Sequence, residues 1–281
     1  MPIWPLSQAA IARNECINTS RHRREDAAEQ RMSDSFVKQN RSRYPDQLLC
    51  EARGLDALRR AATGTGIDVP QIIDVDQRTL TMGFIRSTGC SPEQWTKLGQ
   101  GLASIHARPQ ARFGFDEDNY IGLNPQPNAF TDSWGGFFLQ QRLEFQIGLI
   151  ADPRRRGQFA RYLQQKAVRL REFLDSEALS PSLLHGDLWN GNVLCGADGR
   201  VWLIDPATYN GDPDVDLAMT EMFGGFPAQF YAAYRARRPE PASYPLKKRI
   251  YNLYHYLNHL NLFGEAYLDG CESGLATLAQ I

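Results

Sequence analysis

Apolar positions in this 281-residue chain recur first on the two-residue period of strands and then, past residue 90, mostly on helical spacing. Residues 20–35, SRHRREDAAEQRMSDS, are almost all polar, follow neither period and read as a loop or a poorly formed hairpin. Ser35-Phe36-Val37-Lys38 predicts a short strand. The stretch 46–62 predicts a helix, with Leu48, Leu49, Ala52, Leu55 and Leu58 near one face. Strands are expected at 72–75 and 79–85. At Ser91-Pro92-Glu93-Gln94 the pattern changes: Ser at the N-cap, Pro at N1 and Gln at N3 start a helix whose apolar stripe is Trp95, Leu98, Leu102 and Ile105. Further helices are predicted at 134–150, 159–174, 215–223 and 246–263, interrupted only by extended segments between 183 and 204. The expectation is an α+β chain of two lobes with a cleft between them. Residues 1–85 form a small lobe with a sheet and one helix, and 86–281 a larger, mostly helical lobe carrying one hairpin.

Composition narrows the partners. With 42% hydrophobic residues the chain can bury a substantial core. Its 31 Lys and Arg nearly balance 32 Asp and Glu, which leaves no global field for gathering nucleic acid or an anionic membrane. No apolar run approaches the roughly 18 residues of a membrane span, and Met1-Pro2-Ile3-Trp4-Pro5 lacks the features of a signal peptide, so a cytoplasmic location is expected. Cys16, Cys50, Cys90, Cys195 and Cys271 are odd in number and contain no CxxC pair, which implies reduced thiols rather than a zinc site or a disulfide framework.

Chemistry concentrates between Leu183 and Asp205. An apolar strand end meets the polar run HGDLWNGN, and a hairpin follows with Gly196-Ala197-Asp198-Gly199 as its turn. Antiparallel pairing of 193–195 with 200–202 brings Asn192 and Asp205 to neighbouring strand ends, about 5 Å apart. An amide oxygen and a carboxylate facing one point are hard donors of the kind Mg²⁺ takes when phosphate and water oxygens complete its shell. Asp187, five residues before Asn192, faces the other reactant, where a carboxylate accepts the proton of an attacking hydroxyl. His255 and His259, four apart on a helix, lack a third ligand in the sequence and read as packed or pocket-facing imidazoles.

His-Gly-Asp, then Asn five residues on, then a hairpin ending Ile-Asp, resembles the protein-kinase-like phosphotransferases, a group that includes aminoglycoside and choline kinases. LLHGDLWNGNV, IDPATYNG, DLAMTEMFGGF and YLNHLNLFG, with Phe113-Gly114-Phe115, Asp118-Asn119-Tyr120-Ile121-Gly122, Pro125-Gln126-Pro127-Asn128 and Trp134, look like the fructosamine-3-kinase and ketosamine kinase family. The resemblance runs from about residue 36 to 267. It implies a two-lobed protein-kinase-like fold and transfer of the γ-phosphoryl of ATP, with Mg²⁺, to the 3-hydroxyl of a free or protein-bound ketosamine. It also implies a role in deglycation.

By the same resemblance Asp187 is the catalytic base and Asn192 and Asp205 are the metal ligands. Lys38 grips the nucleotide phosphates and Glu51 positions it, while Asp216 and His185 brace the catalytic loop. The connector Met82, Phe84 and Ile85 presents backbone to adenine, with Gly83 where the family usually has Glu or a similar residue. Trp189, Asn258 and His259 line the acceptor pocket. A homodimer is compatible with this reading. The chain departs from the family at the phosphate loop, where residues 13–20, RNECINTS, contain no glycine and Glu15 would repel phosphate. Cys16 in that loop reads either as an exposed thiol or as a redox-responsive one. Two other readings stay open: a kinase of the same fold acting on another alcohol or amino sugar, and a catalytically weak nucleotide-binding regulatory module.

Overall fold

The structure, a computed structural model, describes residues 35–177 and 180–281. Strand β1 (Ser35–Gln39) leads into helix α1 (Gln47–Ala62), whose leucine stripe at 48, 55 and 58 is buried as the periodicity predicts. Strands β2 (Ile67–Asp68), β3 (Ile72–Val75) and β4 (Thr79–Gly83) follow, and β4 lies between β1 and β3 in an antiparallel sheet. The connector then forms the two-residue strand β5 (Ser87–Thr88) before helix α2 (Pro92–His106). The capping box forms as expected: Gln94 N donates to Ser91 Oγ, and Ser91 N donates to Gln94 Oε1 at 2.9 Å.

A hairpin of β6 (Asn119–Ile121) and β7 (Asn124–Gln126) comes next and carries no apolar–polar alternation. Each strand has three residues and two of the six are Asn, so strand propensity gives no warning of it. The predicted helix 134–150 is a composite of α3 (Trp134–Phe137), a wider π turn over Phe138–Glu144, and α4 (Phe145–Gly148). Helix α5 (Pro153–Asp175) starts six residues before the predicted 159, because Asp152 caps Arg154 N at 2.9 Å and Pro153 occupies N1.

Strand β8 (Ser182–Leu184), the hairpin of β9 (Val193–Gly196) and β10 (Val201–Leu203), and β11 (Tyr209–Gly211) supply the remaining extended structure. Cys195 pairs with Val201 and Val193 with Leu203, one residue on from the predicted register, since Gly196 N donates to Arg200 O and keeps Arg200 inside the turn. Helices α6 (Asp214–Thr220), α7 (Ala228–Arg235), α8 (Tyr244–Phe263) and α9 (Leu268–Thr277) complete the chain. The helix expected to reach 223 stops at Thr220, just before Gly224 and Gly225, both with positive φ.

Two hydrophobic cores result. One joins α1, β4 and α2 to the β9–β10 hairpin through Leu48, Leu58, Leu80, Leu98, Val193 and Leu203. The other packs α3, α5, α8 and α9 around Trp134, Phe138, Leu170 and Tyr251. The hairpin therefore stands on the core that also holds the Glu51 helix, and the cleft lies above it. The glycine-free stretch 13–20, Cys16 and the polar run up to residue 34 lie outside the described residues.

The cysteine reading needs one correction. Cys90, in the connector, is bonded to Cys195, in β9, across 105 residues of sequence, while Cys50 and Cys271 are free and buried. Sequence spacing could not reveal the pair, because β5 is what sets it: Thr88 stands opposite Cys195 in the ladder. A cross-link closing so long a loop constrains the unfolded chain, so Cys90→Ser should lower stability of the oxidised protein by about 2–4 kcal/mol. Urea unfolding with and without reductant checks this. The wild type should shift toward the variant on reduction, and coincident transitions under both conditions would contradict the bond.

Candidate active site

The site is built from the end of β8. Leu184 leads to His185, whose backbone N donates to Asp216 Oδ2 at 2.8 Å, and Gly186 N donates to Asp216 Oδ1 at 2.9 Å. Asp216, at the start of α6, is fully buried, and His106 Nε2 of α2 stands 3.2 Å from it. Burial by itself would raise the Asp216 pKa. The neighbouring His106 and His185 and the Gly186 N–H outweigh it and hold the carboxyl below its ordinary value. Gly186 has φ +82°, and a Cβ there would stand 2.0 Å from Ala207 O, so only glycine allows the chain to turn this closely against the strand opposite. His185 Nε2 lies 2.9 Å from Ile204 O, which ties the loop to the residue before Asp205. Burial lowers the His185 pKa against the raising pull of Asp216 and Ile204 O, and the ring acts as a strut.

Lys38, Glu51, Asp187, Trp189, Asn192 and Asp205 all line one cavity of about 190 Å³. Lys38 Nζ donates to both oxygens of Glu51 at 2.8 Å and to Asp205 Oδ1 at 3.1 Å. Burial opposes its charge, but Glu51 and Asp205 more than offset it and hold the ammonium well above its usual pKa. Asn192 Nδ2 donates to Asp187 O at 2.8 Å and to Asp187 Oδ2 at 3.2 Å, which commits the amide nitrogen to Asp187 and leaves the carbonyl oxygen as the donor a cation could use. Asp205 is the one non-glycine with positive φ among the described residues, at +52°, and its side chain is 37% exposed to the cavity.

Three carboxylates thus face one ammonium, and if all ionise two negative charges are left uncompensated. Asp187 and Glu51 share the consequence: burial first, and the Asp205 charge second, push the Asp187 pKa up to about 7 with the Asn192 hydrogen bond opposing, and burial with the Asp205 charge raises Glu51 as well, against the pull of Lys38. The surplus negative charge, the aimed Asn192 oxygen and the strained Asp205 fit a divalent cation that would take its other ligands from phosphate and water. Among the described residues no group of three or more His, Cys, Asp or Glu could hold a metal ion by itself.

Other sequence candidates lie elsewhere. Met82 is buried in the core, while Phe84 is exposed and Ile85 half-buried on the connector, and none of the three side chains lines the cavity. Asn258 and His259 are buried on α8 behind it. Asn258 Oδ1 accepts from Asn124 Nδ2 at 2.9 Å, and His259 Nδ1 lies 2.6 Å from His255 O. His259 connects toward the cavity through Phe223, whose ring packs against Trp189. The cavity has a wall that sequence reasoning missed: Gln47, Cys50 and Gly54 on α1, and Asn119, Tyr120 and Gly122 on the β6–β7 hairpin. The motif Asp118–Gly122 had flagged that hairpin without giving it a place. Cys50 is no nucleophile here, since burial and the Glu117 charge push its thiol up to about 11.

Because the Asp187 pKa is higher in the folded than in the unfolded chain, ionising it destabilises the fold. The cost is absent below about pH 4, grows as pH rises toward 7 and is complete above it. Asp187→Asn should therefore raise metal-free stability at pH 8 by on the order of 1–3 kcal/mol and leave it nearly unchanged at pH 4. Thermal unfolding at the two pH values checks this, and equal shifts at both would contradict it.

The family model described as Fructosamine kinase matches residues 6–280. A probable ketoamine kinase from Synechocystis is 42% identical over 254 residues, covering 88% of this chain and 83% of that one. A chloroplastic protein-ribulosamine 3-kinase from Arabidopsis thaliana is 35% identical over 267 residues, covering 92% and 78%. A crystal structure assigned to a fructosamine-3-kinase from Thermobifida fusca superposes with a TM-score of 0.76 at 30% identity, covering 88% and 86%. The two-lobed protein-kinase-like fold expected from the sequence is the one observed. With residues of the HGDLWNGN, IDPATYNG and DNYIG segments lining one cavity and the family model matching nearly the whole chain, the chain belongs to the fructosamine kinase family.

Proposed function

We propose that this chain transfers the γ-phosphoryl group of ATP to the sugar 3-hydroxyl of ketosamines, the fructosyl or ribulosyl adducts of amines, and so serves deglycation in the cytoplasm. The observation that carries the reading is the convergence of Asp187 with the Lys38–Glu51–Asp205 group on one cavity beside Trp189. Magnesium, when bound with the nucleotide, would neutralise phosphate charge, and Asn192 and Asp205 are the residues that would hold it. Lys38, kept charged by Glu51, holds the nucleotide phosphates. Asp187 orients the acceptor hydroxyl and takes its proton as the oxygen bonds to phosphorus. A carboxyl titrating near neutrality is matched to that task. Trp189 offers the ring face on which a sugar lies, while Asn258 and His259 support the acceptor side from behind. Met82, Phe84 and Ile85 present backbone, not side chains, to the base. Asp216 and His185 position the loop.

Sequence relationship favours this acceptor over another alcohol or amino sugar, since the relatives matched are named for ketoamines and ribulosamine. It equally disfavours a module without turnover. Acceptor-dependent ADP release with ribulosyl-lysine or fructosyl-lysine should be measurable, and Asp187→Asn should lower kcat by about 10²–10⁴-fold. Asn192→Ala and Asp205→Ala should each raise the Mg²⁺ concentration needed for half-maximal rate. Turnover on other alcohols alone would overturn the acceptor assignment, and an unchanged Mg²⁺ requirement would overturn the metal assignment.

A further inference from the structure

The Glu51 helix of a two-lobed kinase must be held in place for its glutamate to reach the phosphate-binding lysine. In this chain the β6–β7 hairpin of the large lobe grips the first two turns of α1 from outside. Tyr120 Oη donates to Asp46 Oδ1 at 2.6 Å, Gln47 Nε2 donates to Gly122 O at 2.6 Å, and Arg53 Nε donates to Glu117 Oε1. The Tyr44 and Tyr120 rings lie 5.0 Å apart, and the Cys50 thiol is 3.7 Å from Asp118 O. These contacts bracket Glu51 on both sides in sequence. On the inner side Gly54 packs so closely that a Cβ there would stand 3.0 Å from Thr208 Oγ1.

The hairpin is itself held rigidly. Asn119 Nδ2 donates to Thr208 O at 2.7 Å, Gln126 Nε2 donates to Ala207 O at 3.1 Å, and Asn119 Oδ1 accepts from both Gln126 and Asn128 at 2.8 Å. Arg142, fully buried, donates to Asn128 Oδ1 at 2.7 Å. Buried, paired amides of this kind cannot shift one at a time without leaving a polar group unpaired. Ala207 and Thr208 follow two and three residues after Asp205, so one scaffold holds the segment behind Asp205 and α1 from outside.

We propose that Tyr120 and Glu117 are positioning residues that act through α1 on Glu51, so that the hairpin sets the grip of Lys38 on the nucleotide. This inference rests on the kinase reading of the cavity but not on the identity of the acceptor. Tyr120 also lines the cavity, so an acceptor touching it presses on the same bracket.

A double-mutant cycle read by nucleotide binding tests it without any acceptor. Titrating a fluorescent ATP analogue with Mg²⁺, the pair Tyr120→Phe/Glu117→Gln should weaken binding about 3–10-fold in the wild-type background. Added to Glu51→Ala, which removes both acceptors of Lys38, the same pair should weaken binding less than 1.5-fold further, because residues acting in one chain are not additive. Gln47→Ala, on the exposed edge of the bracket, is the second variant and should follow the same pattern. A purely structural role would lower Tm alike in both backgrounds and weaken binding alike in both. Full additivity, or unchanged affinity in the wild-type background, overturns the proposal. Loss of ketosamine turnover with this cycle intact would fault the acceptor assignment instead.

Discussion

One ammonium holds the cleft together. Lys38 comes from β1, Glu51 from α1 and Asp205 from the end of the catalytic hairpin, and their hydrogen bonds of 2.8 and 3.1 Å are the point where the small sheet meets the catalytic segment. A half-buried group of this kind is weak evidence for stability, since desolvation consumes much of the Coulombic gain. Its value lies in geometry. Removing Lys38 would leave Glu51 and Asp205 facing each other without a counter-charge, so the ammonium keeps the three side chains in one arrangement, and the arrangement points at the cavity.

The rest of the site is arranged around the charge this group does not cancel. Asp187 stands beside Asp205 and is pushed toward neutrality, while Asp216, one turn of loop away, is held ionised by His106 and the backbone N–H groups it accepts from. Two aspartates with opposite shifts suit different tasks: Asp216 anchors the backbone of the loop, and Asp187, on the reading proposed above, exchanges a proton. The positive φ of Asp205 belongs to the same economy of strain, because a residue held in a sparsely populated conformation persists only when its surroundings fix it. Here Ala207 N, Gln126 and Asn119 fix the strand that follows.

Much of this was legible in the chain itself. The leucine stripe of α1, the capping box of α2 and the turn after β9 are local signals, and local chemistry decided them. Lys38 and Glu51, thirteen residues apart, were paired by resemblance and meet as expected. What stayed hidden depends on contacts distant in sequence. The β6–β7 hairpin has too few residues for a period, and its place against α1 is set by amides reaching Ala207 and Thr208. Cys90 and Cys195 meet only because β5 adds to the edge of β9. Asn258 and His259 have residue types suited to a pocket, yet the core packing of α8 turns them behind it.

The cleft presents a socket of carboxylates that a cation and its nucleotide would complete. Calorimetric titration of preformed Mg²⁺–ADP into the protein at pH 7, repeated in buffers of different ionisation enthalpy, tests it most directly. A cation beside Asp187 favours the ionised carboxylate, so binding should release protons and the observed heat should vary with the buffer in the sense of release. Heats that do not depend on the buffer, or that report proton uptake, would contradict the account.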